Sequence, residues 1–141
     1  MDTSPLHVAI HTRLTAHAAS SAYTWAREDQ DPALPFGRVV EVTETDGSAK
    51  TTDLLSAVFQ VDAFAADGRT ARQIRAAADA ALMDVGASPL TGGYDLSASG
   101  LAVIGQPVRL DGAVLAEANE GEGPDLIRHA LRRYRFTLMD V

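Results

Sequence analysis

The sequence predicts an α+β fold: a mostly antiparallel sheet with two helices packed on one face, in the order α-β-β-α-β-β. Three observations carry this expectation. An apolar residue returns every four positions near the N-terminus, as one stripe of a helix requires. Two stretches rich in Val, Phe and Thr alternate with period two, as strands do. An alanine-rich segment with helical period then separates this pair from the remaining strand signals.

Residues 4–19 form the first predicted helix. Ser4 is placed to cap it, and Pro5 suits the first helical position, where a backbone N–H has no intrahelical acceptor. Leu6, Ile10, Leu14 and Ala18 make the apolar stripe, and Ala19-Ser20-Ser21 ends it. Residues 26–35 read as a polar, proline-bearing loop, preceded by Tyr23 and Trp25 as packing aromatics. Strands are predicted over 36–45 and 54–66, joined as a long hairpin with an exposed loop at about 44–53; its Asp46-Gly47 pair favours a turn. In the second strand Leu55, Ala57, Phe59, Val61 and Ala63 share one face, and Ser56, Gln60 and Asp62 fall on the other with Leu54, Val58 and Phe64.

Thr70 and Gln73 suggest a capping box for the second helix, Ile74, Ala78, Ala81, Leu82 and Val85 its buried stripe, and Gly86 its stop. Strand pieces at 101–104 and 107–110 follow. The acidic, glycine-bearing stretch at about 116–124 reads as a mobile loop. The last segment carries two periods: Leu126, Ile127, Ala130, Leu131 and Tyr134 are spaced as on a helix, whereas Tyr134, Phe136 and Leu138 alternate as on a strand. The strand reading is taken from about Arg132 to Met139. Residues 1–141 read as a single domain, long enough to bury a core without staples.

Composition excludes several classes of function. There is no cysteine, so disulfides, thiolate chemistry and cysteine-based zinc sites drop out. There is no run of about 18 apolar residues to span a membrane. Met1 to Pro5 lacks a basic region followed by an apolar one, so no signal peptide is expected. A net charge of −7 gives no general pull toward nucleic acid or anionic lipid. The charges are nevertheless segregated. Arg128, Arg132, Arg133 and Arg135 crowd the C-terminal end, while acids gather in 28–31, 41–53 and 117–125. Opposite signs at separate places suit a subunit that assembles head to tail.

The residues offer little for catalysis. His7 and His11 share a helix face at i, i+4, but His17 points elsewhere and no adjacent Glu completes a zinc-protease pattern. His129 lies among arginines and reads as a surface or interface group. There is no nucleophile elbow around Ser97-Ala98-Ser99-Gly100, and no Gly-Lys-Ser/Thr follows Gly92-Gly93. The carboxylate pairs, such as Asp29 with Asp31 and Glu117 with Glu120, carry no sign of burial. No catalytic residue, cofactor site or metal site is therefore assigned. On the last strand Tyr134 and Phe136 face the core with Arg132, leaving Arg133 and Arg135 as an exposed cationic row. Pairing of that row with acids is favoured over a basic-aromatic nucleic-acid stripe.

Several of these features together resemble a known family. They are Leu34-Pro35-Phe36 opening the strand Val39-Val40-Glu41-Val42-Thr43-Glu44-Thr45, then Phe59-Gln60-Val61-Asp62-Ala63-Phe64, then Asp67-Gly68-Arg69 before the alanine-rich helix ending Ala81-Leu82, and the closing Arg132-Arg133-Tyr134-Arg135-Phe136. This order is similar to the tail-terminator, or tail-completion, proteins of siphophages and gene-transfer agents. The resemblance implies a non-enzymatic virion protein that forms a homo-hexameric ring at the head-proximal end of the tail. It would stop tube growth and present a joining surface to the head. Its partners would be further copies of itself, the tail-tube protein and the head-tail connector or stopper, with no specific nucleic acid and no membrane. On that reading Glu44, Asp46, Lys50 and Asp53 are candidates for the tube contact. Glu41, Asp62, Arg133 and Arg135 are candidates for the ring contact. The alternatives are another neck or tail-tube component, and a small α+β enzyme or ligand-binding dimer using the histidines.

Overall fold

A computed structural model describes residues 3–42, 54–84, 94, 96, 99–110, 116–120 and 126–140. The expected hairpin loop at 44–53, Val85, Gly86 and the stretch 121–124 lie outside the described residues. The chain is α+β, as predicted. Its elements are helix α1 (Ser4–Ala16), strands β1 (Trp25–Ala26), β2 (Phe36–Val42) and β3 (Leu54–Ala65), helix α2 (Gly68–Met83), and strands β4 (Leu101–Val103), β5 (Val108–Arg109), β6 (Ala116–Glu120) and β7 (Ile127–Asp140).

The sheet grows outward from β3 and β7, which pair antiparallel along their length, from Leu54 opposite Met139 to Ala65 opposite Arg128. Beyond β3 lies antiparallel β2, and beyond that β1, which runs parallel to β2. On the other side of β7 lie β4, β5 and β6, all antiparallel to it. These three are successive pieces of one interrupted strand. Between the pairs Val103–Leu138 and Val108–Arg135, residues 104–107 stand opposite only 136–137. The surplus loops out at Gly105, whose φ of 70° suits a residue without Cβ, and Pro107 has no N–H to offer the ladder.

Alternation along the strands decides the layers. Ala57, Phe59, Val61, Ala63 and Ala65 of β3 and Tyr134, Phe136 and Leu138 of β7 turn to the same side and are buried. Both helices cover that side. Leu6, Ile10 and Leu14 of α1, one turn apart, are fully buried there with Ile74, Ala78, Ala81 and Leu82 of α2. Each large aliphatic side chain so placed contributes roughly 2 kcal/mol. The stripe ends earlier than its periodicity suggests: α1 stops at Ala16, and Ala18 is exposed. Ser4 is already helical, and the cap position falls to Thr3, whose carbonyl receives the Leu6 and His7 N–H groups. After the helix, Ser20 Oγ donates to the Leu14 carbonyl and the Trp25 indole N–H donates to the Ser20 carbonyl. The indole then lies flat on Gly37, where an added Cβ would come within 2.2 Å of the ring.

Helix α2 is held at both ends and in its middle. Its N-cap is Asp67, three residues ahead of the expected Thr70. The Asp67 carboxylate accepts from the Thr70 N–H at 2.8 Å and from the Thr70 hydroxyl. These bonds, the backbone one foremost, hold its pKa below the ordinary carboxylate range. Near the C-terminus the last carbonyls meet side chains from three other segments. Arg13 donates to Asp84 O and Ala81 O, Tyr94 to Leu82 O, and Gln106 to Met83 O. This satisfies acceptors that every helix end leaves open. Arg13 also lies over the Tyr94 ring, 3.9 Å from its centroid. In mid-helix, Asp79 receives Arg109 (2.8 and 2.7 Å), Arg132 (2.8 Å) and the Tyr134 hydroxyl (2.8 Å), which ties α2 to β5 and β7. Burial alone would raise the Asp79 pKa, but these donors outweigh it and bring the value to about 2. Burial and the Asp79 charge push Tyr134 upward, so its hydroxyl stays a donor.

Two strand boundaries differ from expectation. Strand β7 begins at Ile127, about five residues before the predicted start, because pairing with β3 continues to Arg128. The helical spacing of Leu126 to Tyr134 is overridden by that ladder. Residues 116–120, expected in a mobile loop, form β6 against Ile127–Leu131.

Candidate assembly surface

The side of the sheet away from the helices carries a different set of residues. Register places Phe36, Arg38, Val40 and Val42 of β2 opposite Phe64, Asp62, Gln60 and Val58 of β3. Those in turn face His129, Leu131, Arg133 and Arg135 of β7. The face divides into two zones.

The first zone is an aromatic and ionic cluster at one end. The Phe36 and Phe64 rings lie 5.1 Å apart, and Phe64 stacks on His129 at 4.4 Å with planes 19° apart. The His129 Nε2 lies 2.6 Å from Asp62 Oδ1, and both side chains are largely buried. Gln60 donates to the same oxygen at 2.7 Å. Arg38 covers the Phe36 and Phe64 rings and reaches Asp31 at 2.9 Å and the Gln30 carbonyl. Asp62, expected at a subunit contact, is thus 6% exposed and engaged within its own subunit. His129, expected at a surface or interface, stacks on Phe64 and pairs with Asp62 of the adjacent strand. Sequence reasoning missed this pair because the two residues lie 67 apart. Aligning β3 antiparallel to β7 sets Phe64 opposite His129, with Asp62 diagonal to it, and would have revealed it.

The second zone is cationic and apolar. Arg133 and Arg135 are exposed, as the alternation of the last strand predicts, and Arg133 Nε donates to Gln60 Oε1 at 2.8 Å. Beside them on the outer strand stand Val108, 58% exposed, and Leu110, 36% exposed. Glu41 is exposed at the opposite edge of the sheet and turned to the helix side, where it accepts from the Thr3 hydroxyl at 2.7 Å. Arg133 and Arg135 therefore lie together, Asp62 is linked to Arg133 through Gln60, and Glu41 lies apart on the other side of the sheet. The four candidate tube-contact residues, Glu44, Asp46, Lys50 and Asp53, lie outside the described residues.

The N-terminal histidines fasten the helix to the sheet edge. His7 Nε2 lies 2.9 Å from the Val39 carbonyl and His11 Nε2 3.1 Å from the Trp25 carbonyl. With a carbonyl as acceptor, each ring must carry its proton on that nitrogen. Ser4, Val8, Arg27 and Glu28 border a shallow groove beside them. His17 instead contacts Asp84 at 2.8 Å. No described helix is long and apolar enough to cross a membrane. Among the described residues the sheet thus has two unlike edges and, on the side away from the helices, two exposed arginines.

No family model and no curated protein matches the sequence. Among solved structures, the fold is similar to a chain described as "Virion of native gene transfer agent (GTA) particle". The two are 21% identical, the match covers 94% of each chain, and the TM-score is 0.58, so the likeness is one of fold.

Proposed function

We propose that this chain is a structural virion subunit of the tail-terminator type. It assembles as a hexameric ring on the head-proximal end of a tail tube, ends tube growth and provides the surface that the head connector or stopper meets. The observation that carries this reading is the fold shared, over 94% of each chain, with a chain of a gene-transfer-agent virion. The disposition of charged residues supports a structural rather than catalytic role. Asp79, Asp62, His129 and Arg13 are spent on joining elements within the subunit. A ring needs no reacting group, only a rigid body and unlike surfaces that meet after a rotation. In this reading Arg133 and Arg135, on the face away from the helices, with Glu41 at the edge, serve the ring contact, and Asp62 supports Arg133 through Gln60. Glu44, Asp46, Lys50 and Asp53 serve the tube contact.

The test is deletion of the gene in a producing strain, with complementation. Particles lacking the protein are expected to carry tails of uncontrolled length that fail to join heads, as seen by negative-stain microscopy. Joined tails of normal length in the deletion strain refute the proposal.

A further inference from the structure

We propose that the contact between copies is a strand-to-strand continuation of the sheet, in which Val40-Glu41-Val42 of one subunit pairs with Val108-Arg109-Leu110 of the next. The inference deepens the ring reading above and rests on it for the identity of the partner as a second copy.

Four features of the two edges lead there. The first is direction. Strands β2, β3, β7 and β5 are successively antiparallel, so the outer two run in opposite senses. A copy brought alongside by rotation presents its β2 antiparallel to β5. The second is the phase of the backbone. The Gly37 N–H donates outward to the Thr24 carbonyl, so Val39 and Glu41, of the same parity, also turn their peptide groups to that side. Strand β1 covers only Gly37 and Arg38 of it. At the far edge the Leu110 N–H donates inward to the Arg133 carbonyl, which turns the peptide groups of Arg109 outward, where no described strand lies. Glu41 opposite Arg109 is then a hydrogen-bonded pair, flanked by Val40–Leu110 and Val42–Val108.

The third feature is the side-chain face. Glu41 and Arg109 both turn to the helix side, where they meet Thr3 and Asp79. The valines and Leu110 all turn to the open side, so the register brings like faces together. The fourth is chemistry. Val108 and Leu110 are among the few large apolar side chains that the described residues leave exposed, and Val40 and Val42 are half-buried. An acid at one edge meets a guanidinium at the other that holds Asp79 yet keeps its side chain 46% exposed. Apolar and opposite-charge cross-strand pairs both favour pairing.

The absence of cysteine makes a direct test simple. Val40→Cys with Leu110→Cys places two thiols in a non-hydrogen-bonded cross-strand pair, about 4.5 Å between Cα atoms, within the reach of a disulfide. Val42→Cys with Val108→Cys serves as a second pair of the same register. Each double variant is oxidised with diamide, with purified tail tubes present as template, and run on a non-reducing gel beside electron microscopy of the same sample. A reducible ladder in the double variants, and none in the single ones, is the expected result. Rings without a ladder overturn the edge pairing and leave the ring reading standing. A ladder that extends into open filaments supports the pairing and overturns ring closure. Neither rings nor ladder overturns both.

Discussion

Asp79 ties three elements together, since one side chain on α2 receives Arg109, Arg132 and Tyr134 from two strands. Its pKa falls from 3.8 to about 2 in the folded chain. A depressed carboxylate contributes stability that is complete above its unfolded value and is lost as pH falls through the folded one. The window here is about pH 4 to pH 2, and the shift corresponds to roughly 2 kcal/mol. Asp79→Asn is therefore expected to lower stability at pH 7 by roughly that amount. It should also flatten the acid limb between those limits, as read by urea denaturation at a series of pH values. An acid limb as steep as that of the parent chain would remove Asp79 from the explanation. Neighbouring choices follow the same economy of space: Gly37 is glycine because the Trp25 indole occupies the place of a side chain.

At the scale of elements, the C-terminus of α2 shows how a helix can end by tertiary contacts. Its last carbonyls are capped by Arg13, Tyr94 and Gln106. Arg13→Met keeps an unbranched side chain and removes the guanidinium that both donates to these carbonyls and lies over the Tyr94 ring. Hydrogen bonds from charged groups are worth about 2 kcal/mol, so a fall of about 4–8 °C in melting temperature is expected by calorimetry. An unchanged melting point would mean that solvent replaces Arg13 at no cost. This capping was invisible in the sequence because it joins residues 12 to 71 positions apart with no local period between them. What was legible is what depends on local period: the α1 stripe of Leu6, Ile10 and Leu14, the buried face of β3, the face of α2, and the outward set of Arg133 and Arg135. What was not legible depends on partners. Strand β1 exists because Gly37 admits the Trp25 ring, and β6 because β7 supplies a ladder to a segment whose only apolar residues are Ala116 and Ala118. The start of β7 was obscured by residues spaced for a helix, which β3 holds extended. The Asp62–His129 pair follows only from the β3–β7 register, so its place on the open face could not be read before the topology was known.

For the whole molecule, one side of the sheet is covered by both helices and supplies stability, and the ring reading proposed above assigns recognition to the other. Substitutions on the open side should separate the two. Arg133→Glu with Arg135→Glu reverses the sign of the exposed row while leaving the buried Tyr134 and Phe136 in place. The double variant is expected to unfold within about 1 kcal/mol of the parent, since exposed pairs contribute little. It should nevertheless fail to complement a deletion strain, scored by joined particles. Full complementation by this variant would show that the cationic row is not part of the assembly contact.

The single tryptophan gives this chain a built-in optical reporter. Trp25 is 7% exposed, sits at the outermost strand and rests against β2 only three residues from Val40 in the register. Its fluorescence therefore samples the margin of the sheet and the interior at once. Fraying of that margin would redden the emission before the centre of the domain melts, and a neighbouring molecule docked there would alter quenching without any label being added.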